Sequence, residues 1–405
     1  MSDGLPAYIG FAGLWRLELS GLEIARLGPM LEARLAADPA NAEAMMDIAT
    51  LSILTLIPEN REPAFAMQAK ALELRQVFRI AAARQPPGLR VLAIASTGDM
   101  TALTHLDCLL EDSDVDLEML YARADRPMPG QLPDHDLVFI VAGESAPNRP
   151  VLERIAQFTR DLRKPVLNRP EKILQLSRDS VSRMLRPVAG VSMPATVGVG
   201  RASLEQVSRV VLPVSAVLED AAFPIIARPE DSQGGKDLAK IDTAAGLADY
   251  LSKTAGDGFF ISRFIDYGGK DGQFRKYRVV MIDSRPFACH MAISSHWMIH
   301  YVNADMDQSA AKRNEEARFM AGFDAEFAVR HRHALAGIDR ALGLDYYAID
   351  CAETREGELL VFEADTAMLV HAMDPADLYP YKAPAMRKIF DAFRQMLEKR
   401  RAAAK

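Results

Sequence analysis

The chain has 405 residues, 49% of them apolar and 25% charged, with a net charge of −7. That is the make-up of a globular protein of about two to four domains; it excludes a general polyanion-binding surface, so no nucleic-acid partner is expected. No stretch reaches the ~18 apolar residues of a membrane helix, and the first residues carry no basic segment followed by an apolar core, so neither a membrane span nor a secretory leader is expected.

Residues Gly21 to Ala83 read as helices. Leu22, Ile24, Ala25, Leu27, Leu31 and Leu35 recur at helical spacing. Asp38-Pro39-Ala40-Asn41 interrupts the pattern and restarts it, with Asp38 and Asn41 as cap candidates. A helix is expected over Ala42 to Leu56 and another from Ala64 to about Ala83, with Pro58 to Pro63 as punctuation between them. The segment LAADPANAEAMMDIATL resembles a tetratricopeptide repeat boundary, and a plain helical bundle fits the same residues.

Gln85-Pro86-Pro87-Gly88 is a linker, after which short apolar strands alternate with helices: strands over Arg90–Ala95, Leu117–Tyr121, Asp136–Val141 and Pro165–Asn168, helices over Thr101–Leu110 and Pro150–Arg163. Apolar strands alternating with helices predict a small parallel sheet. The Ser96-Thr97-Gly98 turn lacks GxGxxG, so no dinucleotide site is assigned there. Cys108, Cys289 and Cys351 are far apart, with no CxxC and no Cys/His metal spacing, which argues against a disulfide framework and for a reducing cytoplasm.

From Asn168 onward the chain carries its chemistry. Pro170 opens a helix pair that includes Arg178 and Arg183. Phe223 to Pro229 is a strand ending on a cation, Arg228. It runs into Ser232-Gln233-Gly234-Gly235-Lys236, where paired glycines let backbone N–H groups close over an anion. Gly258 to Asp266 is the next strand. Lys276 to Asp283 and Phe287 to Ser294 form a hairpin, and the period of two puts Lys276 and Arg278 on one face. Two cations side by side need an anion, or they bridge to acids across the sheet. The stretch from His290 to Met306 is dense in groups that hydrogen-bond carboxylates, among them His290, His300 and Asn303. Arg313 to Arg340 reads as mostly helical, and Pro384 to Lys399 as a final amphipathic helix before a frayed tail.

Between them lies DYYAIDCAETREGELLVFEADTAM, two strands joined by a turn at Glu356-Gly357. Closing that hairpin brings Asp350 across from Glu363, with Asp365 two residues on and on the same face. Three converging carboxylates repel one another unless a cation neutralises them. Hard oxygen ligands suit Mg²⁺ or Mn²⁺, which arrives with substrate phosphates. Solvated strand ends carry such acids as well.

These segments, in this order, resemble the ATP-grasp ligases from Leu89 to Leu397. The likeness is to members with an N-terminal tetratricopeptide-like region, and its core is similar to the ribosomal-protein glutamate ligase and glutathione synthetase type. The resemblance implies an α/β and α+β multidomain protein. It divides the chain into a helical region (1–86), a pre-ATP-grasp α/β domain (88–168) and the two lobes of the ATP-grasp domain (169–255 and 256–400), the second with the metal site. It implies ATP as cosubstrate, with phosphates on Arg228, Gly234, Gly235 and Lys276, and on Arg183, since the helix's usual Lys slot is Ser180. Adenine is read by the backbone at Arg263, Phe264 and Ile265, with Asp266 on ribose. Arg278 stabilises the phosphoryl group in flight; His290, His300 and Asn303 touch substrate. Mg²⁺ or Mn²⁺ sits on Asp350, Glu363 and Asp365, the last in the family's usual Asn slot. The implied reaction joins a small-molecule or peptide carboxylate to an amine through an acylphosphate. An ATP-grasp phosphotransferase and a non-catalytic nucleotide-binding scaffold stay open, as do a protein or peptide partner at the helical N-terminus and a homo-oligomer.

Overall fold

The computed structural model describes residues 5–19, 24–55, 57–98, 102–219, 221–230, 232 and 234–403. Leu22, Leu56, Asp99, Thr101, Gln233 and the last residues of the C-terminal tail, which figure in the expectations above, lie outside these, as do the side chains of Ile24 and Ala25. The chain divides into two compact units: Met1–Leu174 with Leu344–Tyr346 and Thr366–Lys405, and Gln175–Gly343 with Tyr347–Asp365.

The first unit opens with four helices, α1 (Gly10–Leu19), α2 (Ile24–Ala37), α3 (Ala42–Leu54) and α4 (Arg61–Leu74). Asn41 caps α3 as expected, its Oδ1 accepting the Ala44 N–H at 2.8 Å. Helix α4 stops short of the expected Ala83. Arg75 turns extended, and Val77–Ile80 forms a strand, β1. Its alternation buries Phe78 and sends Arg79 to Asp116 at 2.7 Å, so pairing with a neighbouring strand overrides local helix propensity. The α/β part follows as β2 (Leu89–Ala95), α5 (Leu106–Leu109), β3 (Val115–Tyr121), β4 (Leu137–Ile140), α6 (Arg149–Thr159), β5 (Val166–Leu167) and α7 (Pro170–Ile173).

The sheet order is β1-β3-β2-β4-β5, parallel except for β1. Nearly every residue of β2, β3 and β4 is buried, which is why they read as unbroken apolar runs. The helix expected over Thr101–Leu110 is only the single turn of α5, because Leu103 is held in a bridge to Ala142.

A buried acid sits among the N-terminal helices. Asp47 of α3 accepts the N–H groups of Ile9 and Gly10 at 2.9 and 3.1 Å, and burial pushes its carboxyl up to about 7 against the pull of those two bonds. The folded state therefore binds the proton more tightly than the unfolded chain. Asp47 favours folding at low pH, and that contribution is lost as pH rises from the unfolded value through about 7. The melting temperature is expected to fall between pH 5 and 8, by several degrees for the roughly 2–3 kcal/mol that a shift of this size carries, and Asp47→Asn to remove that slope. An unchanged slope in the variant would assign the effect elsewhere.

The second unit contains two sheets. Its elements are α8 (Arg178–Leu185), β6 (Val191–Ser192), β7 (Thr196–Gly200), α9 (Arg201–Ser208), β8 (Ile225–Pro229), β9 (Ala239–Ile241), α10 (Ala244–Lys253), β10 (Gly258–Arg263), β11 (Phe274–Ile282), β12 (Arg285–Ser294), α11 (Ala310–Gly322), α12 (Phe327–Arg330), α13 (Arg332–Leu342), β13 (Tyr346–Glu353) and β14 (Leu359–Asp365). One sheet, β7-β10-β8-β9, is antiparallel and packs on the apolar faces of α9 and α10 through Leu204, Val207, Leu247 and Leu251. The other has the order β12-β11-β13-β14-β6. Its β11–β12 hairpin turns on Asp283 and Ser284, both with positive φ (47° and 66°), as a two-residue turn matched to strand twist requires.

The last helix, α14 (Lys382–Ala403), belongs to the first unit, where Phe393 packs on Phe139 and Tyr346. It does not fray at Arg400 as expected. Arg400 pairs with Asp345 at 2.8 Å and Arg401 donates to the Gly88 carbonyl at 2.8 Å, which carries the helix on to Ala403. Among the described residues no helix is long and apolar enough to cross a membrane.

Candidate functional site

The second unit gathers the charged residues from both of its sheets. Strand β8 pairs with β10, and that register, Phe260 opposite Arg228, fixes where the guanidinium leaves the sheet. Arg228 is only 7% exposed. Its Nε donates to Ser232 Oγ at 3.0 Å and its Nη2 to the Ser232 carbonyl; among the described residues no carboxylate pairs with it. Burial, and then the nearby charge of Arg178, pulls its pKa down to about 10, so it stays charged at neutral pH. Six residues on, Gly234 and Gly235 take positive φ (60° and 74°) in succession, a backbone form that other side chains resist.

On the other sheet, Lys276 and Arg278 share a face of β11, and both reach Asp350. Lys276 Nζ lies 2.8 Å from Oδ2; Arg278 Nε lies 2.8 Å from Oδ1 and its Nη2 3.1 Å from Oδ2. Cross-strand ion pairing, one of the two outcomes open from the sequence, is what happens, on a buried face. Burial alone would raise the Asp350 carboxyl. The charges of Arg278 and Lys276 outweigh it and hold the group well below the usual carboxylate range.

The β13–β14 register places Asp350 opposite Glu363, as the hairpin reading requires, with Asp365 across from Ala348 and a bulge after Asp350. Glu363 is tied to Arg178 at 2.5 Å. Asp350 and Glu363 therefore stand opposite each other, and each is neutralised by the protein's own cations. Among the described residues no group of three His, Cys, Asp or Glu side chains stands ready to hold an ion. As arranged, Asp350, Glu363 and Asp365 do not form a metal centre, because both oxygens of Asp350 and one of Glu363 are taken by cations.

The remaining expected residues divide. Arg183 is not brought to the cluster. Mostly exposed, it bonds Ser180 at 2.8 Å and Asp179 at 3.1 Å on its own helix. Arg178 reaches Glu363 instead. The two arginines are five apart on α8, so at about 100° per residue they point to different faces. Arg263 is exposed at the end of β10, and Ile265 is half-buried. Phe264 gives its N–H to the Pro224 carbonyl at 3.2 Å, so that amide does not read a base; its ring packs against Trp297 and Lys240. Asp266 is exposed and paired with Arg355 at 2.9 Å.

His290 lies opposite Arg278 on β12, edge-on to Tyr301. His300 and Asn303 form the two ends of a single short turn, Tyr301–Asn303. The His300 N–H donates to Asn303 Oδ1 at 2.8 Å, and the His300 ring accepts from the Asn303 N–H. Asn303, expected to touch substrate, has its side chain engaged as this cap. Burial, then the charge of Lys276, lowers the His300 pKa.

Two participants escape a reading of the sequence. Ser232 is the partner of Arg228, four residues on in the same turn. Arg178 stands there only as a flanking alternative to Arg183; its position in the first turn of α8 is the available signal. Among the described residues, Lys276 and Arg278 share Asp350, Arg178 pairs with Glu363 and Arg228 bonds no carboxylate, a surplus of positive charge.

No family model matches this sequence, and no curated protein does. Among solved structures, the fold is similar to the VanG D-Ala:D-Ser ligase from Enterococcus faecalis (12% identity, 76% of this chain and 99% of that chain, TM-score 0.47). It is also similar to the D-alanine–D-alanine ligase from Bacillus anthracis (11% identity, 78% and 100%, TM-score 0.45), and to the same ligase complexed with ATP (12% identity, 78% and 99%, TM-score 0.44). At these values the likeness assigns neither substrate nor reaction to this chain.

Proposed function

We propose that this chain is an ATP-dependent carboxylate–amine ligase that works through an acylphosphate and releases ADP and phosphate. The observation that carries the reading is Arg228: a buried, charged guanidinium with no carboxylate partner among the described residues, repelled by Arg178 and followed six residues on by two positive-φ glycines. Such a place favours a polyanion. A triphosphate would seat on Gly234–Gly235 and Arg228. Lys276 and Arg278, already charged and oriented by Asp350, would neutralise the phosphoryl group as it moves.

In the proposed sequence a substrate carboxylate attacks the γ-phosphorus, the bond to ADP breaks, and an amine displaces phosphate from the acyl carbon. No protein nucleophile is needed. Mg²⁺ or Mn²⁺ is expected to enter with the phosphates, and the four cations carry the charge neutralisation. The acid is a small molecule or a peptide. In the same reading residues 1–86 recruit a protein or peptide partner, 88–168 are a pre-ATP-grasp α/β domain, and 169–255 and 256–400 are the two nucleotide-binding lobes of a cytoplasmic enzyme.

One observation favours a second reading, a nucleotide-binding scaffold without catalysis: two of the carboxylates expected to serve a metal, Asp350 and Glu363, are occupied by the protein's own cations. Thermal unfolding with a non-hydrolysable ATP analogue and Mg²⁺ tests what the two readings share. At about 100 Kd the analogue is expected to stabilise the native state by ~2.7 kcal/mol, a shift of a few degrees. No shift at millimolar nucleotide rejects both. A shift without ADP and phosphate release across a panel of acids and amines favours the scaffold. Phosphate retained on a product instead of released identifies a phosphotransferase.

A further inference from the structure

His300 stands against the glycine loop although it comes from the far end of the other sheet's hairpin. A β-carbon at Gly235 would collide with its Nε2 and lie 2.8 Å from its Cε1, so the ring occupies the space that the missing side chain leaves. The turn that holds His300 also fixes its protonation. The ring accepts the Asn303 N–H, and Nε2 is buried without a partner. The accepting atom is therefore Nδ1, and an imidazole that accepts at Nδ1 carries its proton on Nε2. Lys276, Asp350, Glu363 and Arg228 are the charges that act on the ring, which puts it where the charges of both sheets meet. A buried N–H donor with no acceptor is rare in native folds unless a ligand supplies one.

We propose that His300 is a phosphate-binding residue whose Nε2–H closes over the anion seated on Gly234–Gly235, and that Asn303 is the positioning residue, its Oδ1 accepting the His300 backbone N–H and so holding the turn in which the ring faces the glycines. The assignment rests on the ATP reading and deepens it. It moves His300 from the carboxylate substrate to the terminal phosphates of the nucleotide, and makes Asn303 act through His300.

The test is calorimetric titration of the full chain with the Mg²⁺ complex of a non-hydrolysable ATP analogue and, in parallel, with adenosine. His300→Ala is expected to weaken the analogue by about 10-fold to 100-fold, the loss of one hydrogen bond to a charged group, and to leave adenosine unchanged. His300→Gln, which keeps an N–H near the place of Nε2, recovers most of that loss. Asn303→Ala weakens the analogue alone, and Asn303→Asp, which still accepts the His300 N–H, restores it. Gly235→Ala, which displaces the ring without removing it, repeats the selective loss and serves if His300→Ala does not fold. Wild-type affinity for the analogue in His300→Ala, or an equal loss of adenosine and analogue, overturns the proposal while the ATP reading stands. If the wild type binds neither ligand, the ATP reading itself has failed.

Discussion

Arg228→Met is expected to abolish nucleotide binding while leaving the empty protein at least as stable as the wild type. The two effects have one cause. Arg228 is buried, stays charged with its pKa lowered to about 10, and among the described residues it bonds a hydroxyl and a carbonyl but no carboxylate. A buried charge without a counter-charge is a cost to the fold, and replacing it with an apolar chain of similar length is neutral or stabilising. In the proposed complex the same charge would make two or more charge-assisted hydrogen bonds to a polyphosphate, worth about 1.5–3 kcal/mol each, so their loss is expected to weaken affinity by about 100-fold or more. Differential scanning with and without nucleotide reads both: the ligand-induced shift vanishes and the unliganded melting temperature holds or rises. Arg228→Lys keeps the charge but not the fork and should retain part of the shift. The alternative is a structural clamp on the loop through Ser232. In that case the unliganded protein loses stability, and Ser232→Ala loses it too.

How much of this is legible in the sequence varies with the kind of interaction. A count around Glu356-Gly357 places Asp350 opposite Glu363, and the pairing holds because a bulge after Asp350 offsets a one-residue shift nearer the turn, where Cys351 meets Val361 and Glu353 meets Leu359. The parallel strands are legible because strands buried on both faces leave unbroken apolar runs. The edge strand Val77–Ile80 is not, since a few residues after a helix carry no periodicity of their own and are decided by β3, a partner distant in sequence. Charge partnership is the least legible. Three carboxylates call for a cation, but sequence order does not distinguish a metal from Lys276, Arg278 and Arg178 arriving from other elements. The phase of α8, which separates Arg178 from Arg183, is present in the sequence, and a comparison by motif slot alone passes over it.

Asp350→Asn carries the largest expected effect on the fold. The carboxylate has Lys276 and Arg278 within 3.1 Å and is 4% exposed. Removing its charge leaves two buried cations facing each other, a loss of about 3–5 kcal/mol by the usual measure of a broken buried pair. For a chain of this size that is a fall of roughly ten degrees in melting temperature. The acid limb follows with a definite sign. The folded-state pKa of Asp350 lies below its unfolded value, so its contribution is fully present above the unfolded carboxylate range near about pH 4 and drains away as pH falls toward the folded pKa. The variant has already lost that contribution, and its stability should change less than the wild type's between about pH 5 and 3. Adding Lys276→Met to Asp350→Asn removes one of the two stranded cations and should recover part of the loss. Pyrophosphate should stabilise the single variant more than the wild type, because an added anion takes the place the carboxylate left. A variant that melts with the wild type and loses stability in acid in parallel with it would mean that solvent, and not Asp350, compensates these cations. The excess positive charge on which the nucleotide site is argued would then be screened away.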